Sequence, residues 1–340
     1  MNSCIHCGIS FDFYEKGYFF IESNKPKLNL PEKYEMINEY LAYFPYNSLK
    51  QVEQELTSLD NQDGIRIGLS RSKKVERLID VKTFLSRYEE KETVNFIQNG
   101  DMTSHLQPII DMHSNEIFGY ESLLRASSPK ISMSPGKLFQ VATQTGLHSL
   151  LDQRAREEAI KARDGKIPPG LKSFINFLPS TIYNPDFCLQ HTFRIVEKYK
   201  IDPADLVFEV VETEKIIDVD HLVTVLDRYK KEGMKVALDD VGAGFSTINM
   251  LELLKPDYVK IDRSFISFCD QDADKQKFLK ETNDRAQALG IQTLAEGIER
   301  IEEFEFCKSL GYNLAQGFLV GRPAAHPSVD VNWQSISTSY

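Results

Sequence analysis

The segment KVALDDVGAGFS, residues 235–246, places two adjacent aspartates, Asp239 and Asp240, directly after a short apolar run. An apolar run of this length that is followed by glycines is typical of a buried strand. The glycines allow a tight loop between the carboxylates and the next helix. The segment therefore predicts a buried strand whose carboxyl end carries acidic side chains.

Short apolar runs of this kind recur from about residue 92 to residue 320, separated by amphipathic segments. Strand candidates lie at residues 106–110, 118–123, 173–178, 206–211, 235–238, 258–261, 291–294 and 315–320. Helical windows lie between them at residues 152–163, 221–232, 274–288 and 301–310. This alternation favours βαβ units and a parallel sheet. Eight strands predict an α/β fold, a (β/α)8 TIM-like barrel. A doubly wound sheet is the rival, but no glycine-rich turn follows the first strand.

Polar residues occupy the predicted carboxyl ends of seven of these strands, where barrel active sites form. They are Glu121, Asn176, Glu209 with Glu212, Asp239 with Asp240, Lys260, Glu296 and Gln316. Buried carboxylates need compensating cations. Oxygen ligands suit Mg²⁺ or Mn²⁺, and the lack of cysteine and histidine at these positions argues against zinc. Two such ions can promote phosphodiester hydrolysis, and a nearby lysine can orient the attacking water.

Each of these residues taken alone also has an ordinary structural explanation. Asp240 and Glu299 can cap helices, and Lys260 can extend its ammonium to solvent beside Asp262. The functional interpretation depends on all seven strand ends being polar together.

The first 90 residues differ from the rest and are predicted to form a separate small α/β or helical region of unknown role. Residues 32–59 have helical spacing, and residues 71–91 are expected to be a helix or linker. Cys4, His6 and Cys7 form half of a zinc-knuckle pattern, but ordinary thiols are the favoured interpretation because no second pair follows. Residues 91–326 are predicted to form the barrel, and residues 327–340 a tail.

The overall composition limits which classes of partner the protein is expected to bind. The chain has 340 residues, 41% of them hydrophobic, and a net charge of −10. The acidic balance argues against binding DNA or RNA polymers. We expect no membrane span and no signal peptide, and hence a cytoplasmic protein.

These residues together resemble the EAL family of cyclic di-GMP phosphodiesterases, bacterial second-messenger enzymes. The matching segments, in family order, are QPI at 107–109, GYESLLR at 119–125, INFLP around Asn176, FEVVE at 208–212, DDVGAGFS at 239–246, PDYVKID at 256–262, AEGIE at 295–299 and QGFLVGRP at 316–323. The resemblance covers roughly residues 92–325. Glu-Ser-Leu stands where the family has Glu-Ala-Leu.

The resemblance implies a barrel that binds cyclic di-GMP across its top, with one or two Mg²⁺ or Mn²⁺ ions and a homodimer. The implied metal ligands are Glu121, Asn176, Glu209, Asp239, Asp240 and Gln316. The implied catalytic residues are Lys260, Glu121, Asp240 and Glu296, with Lys260 positioning the attacking water. Gln107, Arg125, Asp262 and Arg322 are implied to contact the substrate. Glu212 is implied to stabilise the DDVGAG loop.

Three departures from the family pattern bear on activity. Ser122 replaces an alanine, whereas Val241 and Ala243 change the usual DDFGTG loop to DDVGAG. No departure removes a metal ligand, so hydrolysis of cyclic di-GMP to linear pGpG is the favoured function. The altered loop motivates an alternative, a catalytically weak or inactive receptor for the nucleotide. A protein-interaction module on an EAL scaffold is the third hypothesis.

Overall fold

The computed structural model describes residues 11–26, 30–59, 64–127, 133–211, 218–242 and 248–327. The chain divides into two compact units. One comprises Met1–Asp101 and Ala126–Leu151, and the other comprises Met102–Arg125 and Asp152–Tyr340. Within the described ranges, no helix is both long and apolar enough to cross a bilayer.

The first unit contains a five-stranded antiparallel sheet and four helices. Its strands are β1 (Gly17–Ser23), β2 (Glu35–Met36), β3 (Leu41–Tyr46), β4 (Ile65–Ser70) and β5 (Ile79–Asp80), in the order β2-β3-β1-β4-β5. Its helices are α1 (Leu49–Leu59), α2 (Val81–Glu89), α3 (Lys91–Asn99) and α4 (Pro135–Gln144). One sheet face is apolar because alternate residues such as Phe19, Ile21 and Phe44 pack with Val52 and Phe84. The unit therefore mixes strands and helices, in an α+β arrangement, and is not purely helical.

The helix predicted for residues 32–59 is wrong in its first half. That half contains β2 and β3, and only α1 is helical. The aromatic rings of Phe44 and Tyr43 pack against Phe19 and Phe20 of β1, at centroid distances of 5.2 and 5.7 Å. Cross-strand packing of this kind overrides a loose helical spacing, and Pro45 disfavours a helix interior. Residues 71–91 contain an exposed connection, β5 and α2.

The second unit is a closed eight-stranded barrel, which confirms the TIM-like fold predicted from the sequence. Its strands are β6 (Met102–Asp111), β7 (Ile117–Ala126), β8 (Lys172–Phe177), β9 (Leu206–Val210), β10 (Lys235–Val241), β11 (Tyr258–Ile261), β12 (Gln292–Ala295) and β13 (Leu314–Gln316). Its helices are α5 (His148–Arg163), α6 (Pro185–Cys188), α7 (Gln190–Lys198), α8 (Val219–Lys231), α9 (Ile248–Leu254), α10 (Arg263–Ile266), α11 (Ala273–Ala288) and α12 (Ile301–Leu310).

The first barrel strand runs opposite to the direction that a fully parallel barrel requires. β6 pairs with β13 antiparallel, with Gln316 opposite Ile109. The chain passes from β6 to β7 through residues 112–116 only, and a link this short cannot contain a crossover helix. The residues of β6 up to Gln107 therefore lie toward the barrel end where the other seven strands finish.

Candidate active site

The site lies on a layer of apolar side chains inside the barrel. This layer contains Ile109, Phe174, Val207, Ala237, Tyr258, Leu294 and Leu314, which pack together as one buried cluster. Side chains on a strand alternate between its two faces. The residue two positions further along each strand therefore points to the same interior, and these residues are Asn176, Glu209, Asp239, Lys260, Glu296 and Gln316. On the reversed strand β6 the offset reverses, which places Gln107 two positions before Ile109.

Lys260 is the centre of the polar cluster. Its side chain is 1% exposed. Its Nζ lies 2.6 Å from Glu296 Oε1, 3.0 Å from Asp239 Oδ1, 3.1 Å from Glu209 Oε2 and 3.8 Å from Glu121 Oε1. The structure thus brings together residues from five strand ends. It also excludes the alternative in which Lys260 extends to solvent beside Asp262.

Glu121 is held by two side-chain amides from opposite sides. Asn176 Nδ2 donates to its Oε1 at 2.9 Å, and Gln316 Nε2 donates to its Oε2 at 2.7 Å. Burial by itself would raise the pKa of Glu121, but Lys260 and these two donors lower it below its usual value. Glu121 is therefore a fixed, ionised carboxylate.

The pKa values of the other acids of the cluster shift in the opposite direction, upward. Burial raises the pKa of Glu209 and of Glu296 well above the usual value, and neighbouring carboxylates add to the effect although Lys260 opposes it. The pKa of Asp239 is also raised, chiefly by burial. Burial would lower the pKa of Lys260, yet the four carboxylates raise it well above its usual value. Lys260 is a permanent cation among more acids than it can neutralise.

The arrangement suits hard divalent cations. Ligand atoms of Asp239, Asp240 and Glu296 lie within 4.8 Å of one another. Among the described residues, Glu209 Oε1 and Gln316 Oε1 are buried oxygens with no hydrogen-bond partner. Buried acceptors of this kind are normally satisfied, and an all-oxygen set matches the preference of Mg²⁺ and Mn²⁺. The residues present therefore fit the divalent cation, Mg²⁺ or Mn²⁺, that the sequence predicts.

Asp240 joins this cluster through an uncommon backbone conformation. Its φ angle is 51°, in the left-handed region, and its N–H donates to Asp239 Oδ1 at 3.1 Å. Strained backbone of this kind concentrates at functional sites. It lets two consecutive aspartates project toward one side instead of toward opposite faces of β10.

The four residues predicted to contact substrate each contact a residue outside this cluster. Gln107 Nε2 donates to the Gly321 carbonyl at 3.2 Å. Arg125 Nη1 donates to the adjacent Leu124 carbonyl at 2.8 Å. Asp262 caps α10 by accepting from Ser264 N–H at 2.9 Å, and the exposed Arg322 lies 4.0 Å from the Phe318 ring centroid. Their contact with a substrate stays a prediction.

Several predicted features lie outside the described residues. They are Glu212, Ala243 with the rest of the loop to residue 247, and Cys4, His6 and Cys7. Val241 is described and is fully buried in the barrel's outer core. The stacked rings of Phe265 and Phe278, with centroids 4.0 Å apart, lie directly against Gly242. Aromatic side chains from other elements thus pack at the start of this loop, near the position where the family has phenylalanine.

One buried acid at the site's edge was not predicted from the sequence. Glu303 of α12 is 1% exposed and accepts hydrogen bonds from three backbone N–H groups. A glutamate in the third position of a helix is a known feature of helix starts. That pattern in ERIEEF, residues 299–304, was sufficient to identify it.

The oxygen cluster around Lys260 lies at the strand ends of a TIM-like barrel, which is where the active sites of α/β barrel enzymes form. The EAL domain family model matches residues 90–323, and the chain belongs to that family. Probable cyclic di-GMP phosphodiesterase PdeG of Escherichia coli is 30% identical over 236 residues, covering 68% of this chain and 46% of that protein. Cyclic di-GMP phosphodiesterase PA2567 of Pseudomonas aeruginosa is 30% identical, covering 64% and 37%. The chain spans less than half the length of these two relatives.

A solved structure supports the fold independently. The c-di-GMP-bound form of a standalone EAL protein from Vibrio cholerae superimposes with a TM-score of 0.63 and 32% sequence identity. The match covers 71% of this chain and 99% of that one. The MucR phosphodiesterase of Pseudomonas aeruginosa, in complex with c-di-GMP, matches with a TM-score of 0.61 and 25% identity, covering 71% and 97%.

Proposed function

We propose that this protein hydrolyses one phosphodiester bond of cyclic di-GMP, giving linear pGpG, with Mg²⁺ or Mn²⁺ as cofactor. The observation that carries the proposal is the oxygen cluster around Lys260, with Glu209 Oε1 and Gln316 Oε1 buried and unpartnered. The nucleotide is proposed from the relatives named as cyclic di-GMP phosphodiesterases and the solved EAL complexes.

The cations would be held by Glu121, Asn176, Glu209, Asp239, Asp240 and Gln316. When bound, such ions supply Lewis-acid chemistry, polarising the phosphate and lowering the pKa of water. Glu121 is suited to a ligand role because Asn176 and Gln316 fix both of its oxygens and keep it ionised. Asn176 and Gln316 retain their carbonyl oxygens for the same purpose.

Lys260 and Glu296 would act on the attacking water. The Lys260 ammonium stays protonated and donates hydrogen bonds, so it can orient a water oxygen toward phosphorus. Glu296 Oε1 lies 2.6 Å from Lys260 Nζ, so its carboxylate is placed to accept a proton from a water that Lys260 holds. Gln107, Arg125, Asp262 and Arg322 would bind the nucleotide around this centre.

The test is chromatography of cyclic di-GMP after incubation with protein and Mg²⁺ or Mn²⁺. We expect pGpG to accumulate, and Glu121→Ala to reduce turnover by at least about 100-fold, because the cluster loses its ionised, doubly held ligand. The matched control is Glu116→Ala, an exposed acid before β7, which should behave as wild type. Absence of pGpG with both metals would contradict the proposal.

A receptor that holds the nucleotide without cleaving it is the second candidate, favoured by the sequence of the DDVGAG loop. It predicts tight binding of cyclic di-GMP by calorimetry with no product. An interaction module independent of the nucleotide predicts neither. A cytoplasmic location, a homodimer and the lack of binding to nucleic-acid polymers stay predictions.

A further inference from the structure

Glu303 is a buried carboxylate whose hydrogen bonds go entirely to backbone groups of two turns. Its Oε2 accepts from Glu299 N–H at 3.0 Å and Arg300 N–H at 3.1 Å, and its Oε1 accepts from Phe268 N–H at 2.9 Å. Glu303 is only 1% exposed, so three backbone N–H groups take the place of the water molecules that would otherwise donate hydrogen bonds to its carboxylate. A buried acid in this situation is costly to leave unsatisfied, so the two turns are fixed relative to each other.

The first of these turns carries one residue of the oxygen cluster and is hydrogen-bonded to the backbone of a second. It begins at Glu296, whose carboxylate lies 2.6 Å from Lys260 Nζ, and it continues to Arg300, the residue before α12. Within it, Ile298 N–H donates to the Gln316 carbonyl at 3.0 Å. Glu296 and Gln316 are therefore joined through the backbone of one turn, and Glu303 supplies a buried side-chain anchor of that turn, in addition to the more exposed ion pair between Arg263 and Glu299.

The second turn is strained where Glu303 holds it. Phe268 has a φ angle of 55°, an unfavourable conformation for an aromatic residue, and its ring is 54% exposed. The Arg300 guanidinium lies 4.9 Å from the centre of that ring and 2.9 Å from Asp270. Strain persists only where surrounding contacts enforce it. Glu303 and Arg300 are two such contacts, and both lie at the start of α12.

We propose that Glu303 is a positioning residue that sets the placement of Glu296 and Gln316 relative to Lys260. The proposal deepens the proposed function, because it rests on Glu296 and Gln316 belonging to the cation- and water-binding set. An ordinary helix cap would only stabilise α12. A positioning residue also changes how the cluster binds a divalent cation.

The experiment compares the Mn²⁺ affinity of the metal-free full chain, by calorimetry, in wild type and Glu303→Gln. Glutamine keeps the side-chain volume, but its amide nitrogen cannot accept a hydrogen bond, so one of the two turns is released. We expect Mn²⁺ affinity to fall roughly 10- to 100-fold, as is typical when partners of metal ligands are lost. The control is Glu305→Gln, an exposed acid on the same helix, which should keep wild-type affinity.

Thermal unfolding separates the two roles. A lower melting temperature with unchanged Mn²⁺ affinity would reduce Glu303 to a helix cap and overturn the proposal. If Glu303→Gln does not fold, Glu303→Asp is measured instead; it keeps both acceptor oxygens on a shorter stem, and wild-type affinity in it would overturn the proposal equally. Failure of the wild type to bind Mn²⁺ would also overturn it. Failure to cleave cyclic di-GMP, with the Mn²⁺ difference intact, would contradict only the proposed function.

Discussion

At the scale of single residues, Lys260 buries an ammonium where the ends of five strands converge. The free-energy cost of burying this charge is offset by the carboxylates of Glu296, Asp239 and Glu209, each within 3.1 Å of Nζ. The acids outnumber the lysine, and burial raises the pKa of Glu209 and Glu296. When its carboxylates are ionised, the cluster therefore carries more negative charge than Lys260 alone can neutralise.

Replacing Lys260 by methionine removes the cation while keeping much of the side-chain volume. We expect the metal-free protein to lose roughly 3–5 kcal/mol of unfolding free energy, because carboxylates are left buried without a counter-charge. Added Mg²⁺ should restore part of that loss, and turnover should fall at least about 100-fold. Urea unfolding with and without Mg²⁺ measures the first effect. Lys280→Met, on the exposed face of α11, is the control, and an equal loss in it would count against the argument.

The raised pKa values give a pH dependence with a definite sign. Glu209, Asp239 and Glu296 hold protons more tightly in the folded state, so their contribution to stability is present at low pH and is lost as pH rises through their raised pKa values. Divalent cations bind the deprotonated form. The increase in melting temperature on adding Mg²⁺ should therefore be larger at about pH 8 than at about pH 5. An equal or smaller increase at the higher pH would contradict this.

Sequence patterns identified the acids and amides of the cluster because each lies in an otherwise apolar strand. They did not show that Lys260 contacts four carboxylates at once, since distances between strands are not encoded within any one strand. Glu303 was missed for a different reason. It lies on a helix rather than at a strand end, so the pattern of polar strand ends does not include it, although the segment ERIEEF has the helix-start pattern of a capping glutamate.

At the scale of elements, seven of the eight barrel strands were predicted close to their observed positions, whereas the strand predicted at residues 315–320 is the shorter and earlier β13, Leu314–Gln316. Short apolar runs between amphipathic helices are a strong indication of buried strands. The direction of β6 was not predicted, because direction depends on the length of its link to β7 and on pairing with β13, the most distant strand in sequence. The error at residues 32–59 has the same origin, since β3 forms only through pairing with β1.

Gly242 links strand β10 to the DDVGAG loop, and its surroundings leave no room for a side chain. Its φ angle is 107°, and a Cβ there would lie 2.5 Å from a Phe265 ring carbon and 2.7 Å from a Phe278 ring carbon. We expect Gly242→Ala to lower the unfolding free energy by about 2–4 kcal/mol, through strain and overpacking together. Turnover should fall at least about tenfold, because Asp239 and Asp240 lie only three and two residues before this position.

Gly290→Ala is the matched control for that substitution. Gly290 also has a positive φ angle, 71°, but nothing lies within 4 Å of where its Cβ would be. Backbone strain alone should cost about 1 kcal/mol there, with unchanged turnover. Chemical denaturation of both variants separates the two effects. Equal losses in the two would show that ring contacts at Gly242 are unimportant.

At the scale of the whole molecule, the first compact unit is discontinuous in sequence. It combines the amino-terminal sheet with residues 126–151, and the contacts within it include Arg87 Nε to the Thr145 carbonyl at 2.8 Å and Lys137 to Glu90 at 3.0 Å. The sequence pattern changes near residue 90, which indicated a boundary there, but it did not indicate that residues 126–151 return to the first unit. The domain limits at residues 90 and 326 stay predictions.

A fragment that begins at Lys91 should therefore remove the contacts that Arg87 and Glu90 make with α4 and the residue after it, while the packing of α3 on α4 is kept. We expect faster amide exchange in α4 than in the full chain, because Arg87, Glu90 and α2 are removed. Hydrogen–deuterium exchange followed by mass spectrometry measures this. Exchange in β9 of the barrel is the internal reference for a folded fragment. Unchanged protection of α4 would contradict the expectation and would favour a boundary near residue 90.

The most direct test of the central claim, that the Lys260-centred cluster hydrolyses cyclic di-GMP, is a single-turnover measurement. Protein in excess over cyclic di-GMP is mixed with Mn²⁺, and the linear product is quantified over time, with a chelator-treated sample beside it. We predict stoichiometric conversion to pGpG with Mn²⁺ and none with the chelator. Intact cyclic di-GMP that stays bound throughout would contradict the claim and identify the protein as a receptor.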